Sequence, residues 1–381
     1  MDEREVRLLL TQLAAGEQPR VDVAAAVARG RRRLRWRRAG LTAAPLGAIV
    51  VAVLVVTGAV PLGALIGMGH RAPVGPATHG ATLYVGGGCY SGVTPVSVAT
   101  GKAGKPIEAG PAIDKMLATP DGKTIYAASG STNTVTPIST ATYRAGRRIE
   151  TGIGANPPIA GMAITPDGQT VYVLNTGRPG TVTPISTATG TASKPIRISG
   201  GAASVAITPN GRTLYVAAAY SNAVTPVPTA TNKPGNPINI PDGLNGLITV
   251  TPDGKTVYAG TSGPAIAPIA TAGNIPGKPV HIEGGPVAIG FTPDGRTAYV
   301  VSGMRGANGE VVPVSTATNK AGEPVMTIGA DARAIAFTPD GRTGYVANGG
   351  SNTVTPFTTA TSEAGKPIKA GGCPIAFLGG P

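Results

Sequence analysis

Most of the residue types that catalysis draws on are scarce in this chain. Its 381 residues hold three histidines, two cysteines and one tryptophan, and aromatics make up 4% of the total. His70 and His79 fall in a stretch without periodicity, which leaves His281 alone after residue 80. A single histidine argues against a Ser–His–Asp triad or a histidine-rich metal centre, and two cysteines are too few for a thiolate cage. No metal or cofactor is expected. The shortage of aromatics also removes the platforms on which bases stack, so nucleic acid is not expected as a partner despite a formal net charge of +13.

Glycine and proline are abundant, at 56 and 36 residues. Without a period that content would indicate low complexity, but here both fall at fixed places in a repeat. TPDGKTIY at 119–126 returns as TPDGQTVY at 165–172, TPNGRTLY at 208–215, TPDGKTVY at 251–258, TPDGRTAY at 292–299 and TPDGRTGY at 338–345. Steps of 41 to 46 residues are the period of a blade array, one small antiparallel sheet written out several times. A second phrase keeps the same beat. It begins as GVTPVSVAT at 92–100 and ends as TVTPFTTAT at 353–361, with seven occurrences against six of the first.

Within one period, an apolar innermost strand leads into the Pro-Asp-Gly turn, where Pro presets φ, Asp caps and Gly takes φ > 0. A second strand, a Gly/Ser/Asn loop, the TP phrase as third strand and a short Lys-Pro-Ile-type fourth strand follow. An aspartate repeated in blade after blade cannot form one catalytic site, so it is architectural. Pro95, Pro137, Pro184, Pro226, Pro268, Pro313 and Pro356 interrupt the third strands, and Pro106, Pro195, Pro237, Pro279, Pro324 and Pro367 the fourth. Proline removes a ladder donor, which keeps the rims poor at pairing with other chains. How the third strand keeps its ladder is not evident from the residues.

The N-terminal part is different. Val6, Leu9, Leu10 and Leu13 follow helical spacing within 2–15, a short amphipathic helix. Arg29, Arg31, Arg32, Arg33, Arg35, Arg37 and Arg38 then surround Trp36, and no charged residue occurs from Ala39 to His70. Leu46 to Ile66 would span about 31 Å as a helix, enough to cross a bilayer. The expectation is a basic cytoplasmic tail (1–38), a transmembrane signal anchor (39–68), a linker (69–80) and an extracytoplasmic repeat domain (81–381). Trp36 would sit at the interface and the arginines against anionic lipid headgroups. A long cleavable signal peptide is the competing reading.

The seven-against-six count suggests how the array closes. ATLYV at 81–85 is a second strand without an innermost strand before it, while Pro374 to Phe377 matches Ala334 to Phe337. The C-terminus is expected to supply that strand, giving one composite blade and a closed ring of seven without free edges. Cys89 and Cys373 fall at one end of that composite blade, so a Cys89–Cys373 disulfide is expected outside the cytoplasm.

These phrases resemble the YVTN family of β-propeller repeats, found in extracytoplasmic and surface-layer-like proteins. TPDG-x-T-x-Tyr-Val, a Ser-Asn or Gly loop, a valine strand and STAT carry the likeness over 81–381, although Pro-Ile-Ser-Thr at 184–187 stands where the family has Val-Ile-Asp-Thr. The resemblance implies an all-β, seven-bladed propeller and an extracytoplasmic address. It implies little about activity, because propellers host many functions.

Functional residues are sought where copies break their own rule. On the face of Cys89 and Cys373 these are Tyr90, Asp114, Lys115, Asn156, Arg178, Tyr220, Asn245, Arg305, Asn308, Asp331 and Arg333, with the longest insertion at 302–310. Arg and Tyr among Gly and Asn suit the docking of a protein or a cell-envelope glycan. The leading expectation is a non-catalytic, tethered binding or scaffold module. One alternative is a transmembrane signalling protein whose tail meets a cytoplasmic partner. Another is a propeller enzyme such as a lactonase-like hydrolase, using Asp114, Glu310 and Asp331. Quinone-cofactor dehydrogenases of this shape stack Trp in each blade, and the only Trp here is Trp36.

Overall fold

The computed structural model describes residues 51–56, 82–87, 92–97, 104–151, 159–218, 221–303, 308–338, 340–351 and 353–369. Among them, 31 strands form seven antiparallel sheets, and there is no helix. Each sheet is a meander of one repeat. In the second, Ile113–Ala118, Thr124–Ser129 and Thr134–Ser139 pair in sequence, and Arg144–Ala145 and Ile149–Glu150 both pair with the third strand. Innermost strands of successive sheets adjoin: Ile113–Ala118 meets Ile159–Ile164, which meets Ser204–Ile207, which meets Ile248–Val250. Pro286–Phe291 adjoins Ala332–Phe337 in the same way.

Because strand side chains alternate, each sheet offers an apolar face to both neighbours, and the core lies between sheets. Tyr172, Leu174, Val182 and Ile198 of the third sheet pack with Leu214, Val216, Ala218 and Val227 of the fourth. Val, Ile, Ala and Tyr fill these layers, as the shortage of Phe and Trp requires.

The two repeated phrases lock each other. Thr119 Oγ1 donates to Asp121 Oδ1 at 2.6 Å, and the Lys123 N–H donates to the same oxygen at 3.1 Å. Thr140, from the second phrase, donates to the Gly122 carbonyl at 2.8 Å. Thr187, Thr229, Thr271, Thr316 and Thr359 repeat that bond onto Gly168, Gly211, Gly254, Gly295 and Gly341. Successive turns also touch. The α-carbon of Gly211, at φ +69°, leaves so little room that a Cβ there would lie 2.9 Å from Cδ of Pro166 in the preceding sheet.

The third-strand prolines now have an explanation. The Pro137 carbonyl accepts from the Gly146 N–H at 2.7 Å, so the polar side of Pro137 faces the fourth strand. In an antiparallel ladder a residue's N and O point the same way, so its missing N–H leaves the bonding to Thr124–Ser129 intact. The fourth strand instead splits around it into the two short pieces given above, and Gly146 closes over the ring: a Cβ there would lie 3.1 Å from Pro137 Cγ. Gly104, Gly235, Gly277, Gly322 and Gly365 repeat the arrangement over their own prolines, and Ser193 takes that place in the third sheet.

Two expectations fail here. A transmembrane helix and a helical tail are not supported. Val51–Val56, from the middle of the charge-free run, is a strand paired antiparallel with Thr82–Gly87, from Val51 opposite Gly87 to Val56 opposite Thr82. Hydropathy registers an apolar run without telling lipid from a neighbouring strand, and VAVLVV is rich in β-branched valine. No described helix is long and apolar enough to cross a membrane. The innermost edge of Thr82–Gly87, expected to receive Pro374 to Phe377, is taken by Val51–Val56. The C-terminal segment, the 2–15 stretch, Arg29, Arg31, Arg32, Arg33, Arg35, Trp36, Arg37 and Arg38 lie outside the described residues.

Candidate functional site

Register places the start of each innermost strand, the end of the second and the start of the third at one end of a blade. Ile113, Ser129, Thr134 and Glu150 form one such row, and Ala332, Asn348, Thr353 and Lys369 another. This end carries Asp114, Lys115, Arg178, Asn245, Asn308, Asp331 and Arg333, and four blades bulge there. Ile113 pairs with Ser129 and Lys115 with Ala128, which leaves Asp114 as the extra residue. Arg333 is the extra residue between Ala332 and Ala334, Val287 between Pro286 and Ala288, and Ala160 between Ile159 and Gly161. A bulge bends the strand, so each of these four blades departs from the regular ladder where its innermost strand begins.

The named residues divide. Lys115, Arg178 and Arg333 are exposed, and Asp331 is half-buried in the left-handed region at φ +54°. The Asp331 carbonyl accepts from the Gly349 N–H at 2.8 Å, and Arg333 lies over Gly349 so closely that a Cβ there would sit 2.6 Å from Nε. Asn245 is a tie as well as a surface group: its Nδ2 donates to the Pro286 carbonyl of the next blade at 2.7 Å, and its Oδ1 accepts from the Leu247 N–H at 2.9 Å. Asn308, read as loop, opens the strand Asn308–Ser315 and pairs with Ala330, because Glu310 continues the ladder opposite Ser302. Tyr90, Asn156, Tyr220, Arg305, Cys89 and Cys373 lie outside the described residues. The disulfide expectation therefore gains no support.

Sequence reasoning missed the buried amides at this end. Asn175 closes the second strand of the third blade, fully buried, and neither amide atom has a partner. Asn348, at the same position of the seventh blade, donates to Thr355 Oγ1 at 2.9 Å and leaves its Oδ1 unpaired. The signal was present as YVLN and YVAN against YVAA and YVVS in sister copies.

The opposite end is regular. Thr165 and the Gln169 N–H, both donating to Asp167, hold its carboxyl below the usual range, and Asp121, Asp294 and Asp340 are lowered by the same pair of bonds. Burial pushes Asp253 the other way, but Thr251 and Lys255 outweigh it. Lys123 and Lys255 lie 3.5 Å and 3.8 Å from their turn aspartates, exposed pairs that contribute little to stability. Among the described residues no group of three or more His, Cys, Asp or Glu is placed to hold a metal.

Among solved structures, the chain is similar to hydrazine synthase of Kuenenia stuttgartiensis, at 21% identity and a TM-score of 0.59, over 74% of this chain and 93% of that one. It is similar to the dihydro-heme d1 dehydrogenase NirN in complex with DHE, at 13% identity and a TM-score of 0.62, over 76% of this chain and 64% of NirN. A functionally unknown protein of Desulfotomaculum acetoxidans DSM 771 matches at 20% identity and a TM-score of 0.58, over 74% and 95%. The chain is β-propeller-like. At these identities the likeness concerns the fold of the propeller alone. No protein-family model matches the chain, and no curated protein does, so the YVTN resemblance rests on the repeat phrases themselves.

Proposed function

We propose that the propeller is a non-catalytic binding or scaffold module, and that a protein or glycan partner docks on the bulged end of the blades. The observation that carries this reading is the concentration of rule-breaking residues there. Asp114 and Arg333 are bulge residues of the second and seventh blades, and Lys115 stands exposed beside the first, while the opposite end repeats one turn almost unchanged. Bulges maintained against the repeat re-aim side chains, and arginine beside small residues suits docking. The likeness of the phrases to an extracytoplasmic family supports a partner outside the cytoplasm.

Lys115 and Lys123 lie at opposite ends of one blade, which makes the test direct. Amine-reactive crosslinking in intact cells, mapped by mass spectrometry, is expected to join a partner to Lys115 and not to Lys123. Lys115→Glu with Arg333→Glu should then abolish capture without lowering the unfolding midpoint. Links through Lys123, or capture that survives both changes, would overturn the reading.

A further inference from the structure

A cationic cluster runs along the rim, from Arg144 near the turn end to Arg148 and Arg197 near the bulged end. One basic residue recurs there in five of the seven copies, as Lys105, Arg147, Lys194, Lys278 and Lys366. On outer strands that pattern guards an open edge against added strands. Arg144 belongs to a second recurring basic position, with Lys102, Lys233 and Lys320, whereas Arg148 and Arg197 exceed both patterns. Arg148 stands where six sister copies have Pro106, Pro195, Pro237, Pro279, Pro324 and Pro367. Arg197 points outward between buried Ile196 and Ile198, where the first two blades have Glu108 and Glu150.

These residues share one surface. Arg144, Arg147 and Arg148 occupy the split fourth strand of the second blade, and Lys194 and Arg197 that of the third. Thr191–Ala192 adjoins Ile149–Glu150, so the two rims are neighbours. All five cations are exposed, and among the described residues none is in an ion pair; the one acid among them is Glu150. Arg144 to Arg148 and Lys194 to Arg197 thus form two cationic rows, about 13 Å and about 10 Å long, on adjoining rims.

We propose that this double row binds a linear phosphate-bearing polyanion along the blade rim. Four of the five cations are arginine, whose planar fork bonds two oxygens of one anion. A phosphate carries negative oxygens on several sides, so one group can be gripped from both rows, whereas a planar carboxylate presents one forked edge. A chain also fits a narrow convex rim, which a flat bilayer would touch only along a line.

The test uses the full chain with long-chain inorganic polyphosphate and an arginine-directed reagent, read peptide by peptide by mass spectrometry. Modification at Arg148 and Arg197 is expected to slow by about fivefold or more, with protection fading as salt rises, because such contacts neutralise charge. Arg212 and Arg296, in the Pro-Asn-Gly and Pro-Asp-Gly turns of the fourth and sixth blades, should be unaffected. Arg148→Pro with Arg197→Glu uses residues that sister blades hold at these positions, so folding should survive while protection at Arg144 and Arg147 is lost. Equal slowing at Arg212 and Arg296, or slowing confined to residues 29–38, would refute the proposal. So would equal protection by polyglutamate, or protection only by phosphatidylglycerol vesicles.

Discussion

The Tyr215 hydroxyl of the fourth blade donates to Asn274 Oδ1 of the fifth at 2.7 Å, and Asn274 holds the left-handed region at φ +56°. Tyr172 and Asn232, and Tyr258 and Asn319, repeat the contact at 2.9 Å and 2.5 Å. One asparagine thus closes a hairpin within its own blade and latches the preceding one. Asparagine tolerates that backbone better than other non-glycine residues because its short polar side chain bonds locally.

Asn274→Ala removes both contributions. An unpaired hydroxyl costs about 1–3 kcal/mol and the left-handed alanine about 1–2 more. Asn274→Gly should cost less than Asn274→Ala, since Gly190 holds the same place in the third blade at φ +63°. Urea midpoints of the two variants check this. If alanine and glycine destabilise equally, the backbone conformation contributes nothing.

Acid should loosen the turns. The Asp167 carboxyl is lowered by Thr165 first and the Gln169 N–H second, so the folded state binds its proton less readily than the unfolded chain. Such a group stabilises fully above the unfolded value of about 3.9, and the contribution disappears as pH falls through the lower folded value. Stability should therefore drop below about pH 4, with several turns acting together. Asn210 shows how to remove the dependence: its Oδ1 accepts from Thr208 at 2.7 Å and from the Arg212 N–H at 3.0 Å, with no charge to titrate. Asp167→Asn should lower the midpoint slightly at pH 7, because an amide accepts more weakly than a carboxylate, and lose less on going to pH 3 than the parent chain does. An acid slope unchanged by the substitution would remove Asp167 from the account.

How much of this was legible depended on whether a residue acts locally or between blades. The Pro-Asp-Gly turn is local chemistry, so its six copies announced sheets and their strand order. The split around Pro137 was not legible, since the Gly146 contact joins residues whose pairing only the register reveals. The Tyr–Asn latches escaped because their partners lie 59 to 61 positions apart. Val51–Val56 was misread because length and hydropathy do not say whether an apolar run pairs with another strand. Asp114 and Arg333 were found as exceptions to a repeat, and the bulges that present them needed the ladder.

Gly344 and Phe357 exchange volume across the seventh blade. They are register partners where sister blades pair Ile125 with Ile138, Val171 with Ile185 and Val257 with Ile269. A Cβ on Gly344 would fall 2.2 Å from Phe357 Cε1. Gly344→Val should cost about 1–3 kcal/mol by overpacking. Phe357→Ile, alone, leaves a gap. Together they restore the sisters' pair, and the double variant should be more stable than either single one, a coupling readable in a double-mutant cycle. Additive losses would mean that the glycine serves some other contact.

The strand Val51–Val56 makes the sharpest claim about the N-terminal region, because the same residues as a membrane span would leave Thr82–Gly87 unpaired along its inner edge. Two truncations separate these outcomes. Removal of residues 1–50 keeps the strand, and removal of 1–56 takes it away. Hydrogen exchange across Thr82–Gly87 should be unchanged by the first and at least about tenfold faster after the second, since opening an edge frees the ladder locally without unfolding distant blades. Exchange in Thr256–Gly260, across the ring in sequence, serves as the internal control. Should both truncations leave Thr82–Gly87 equally protected, Val51–Val56 is not what completes the first blade.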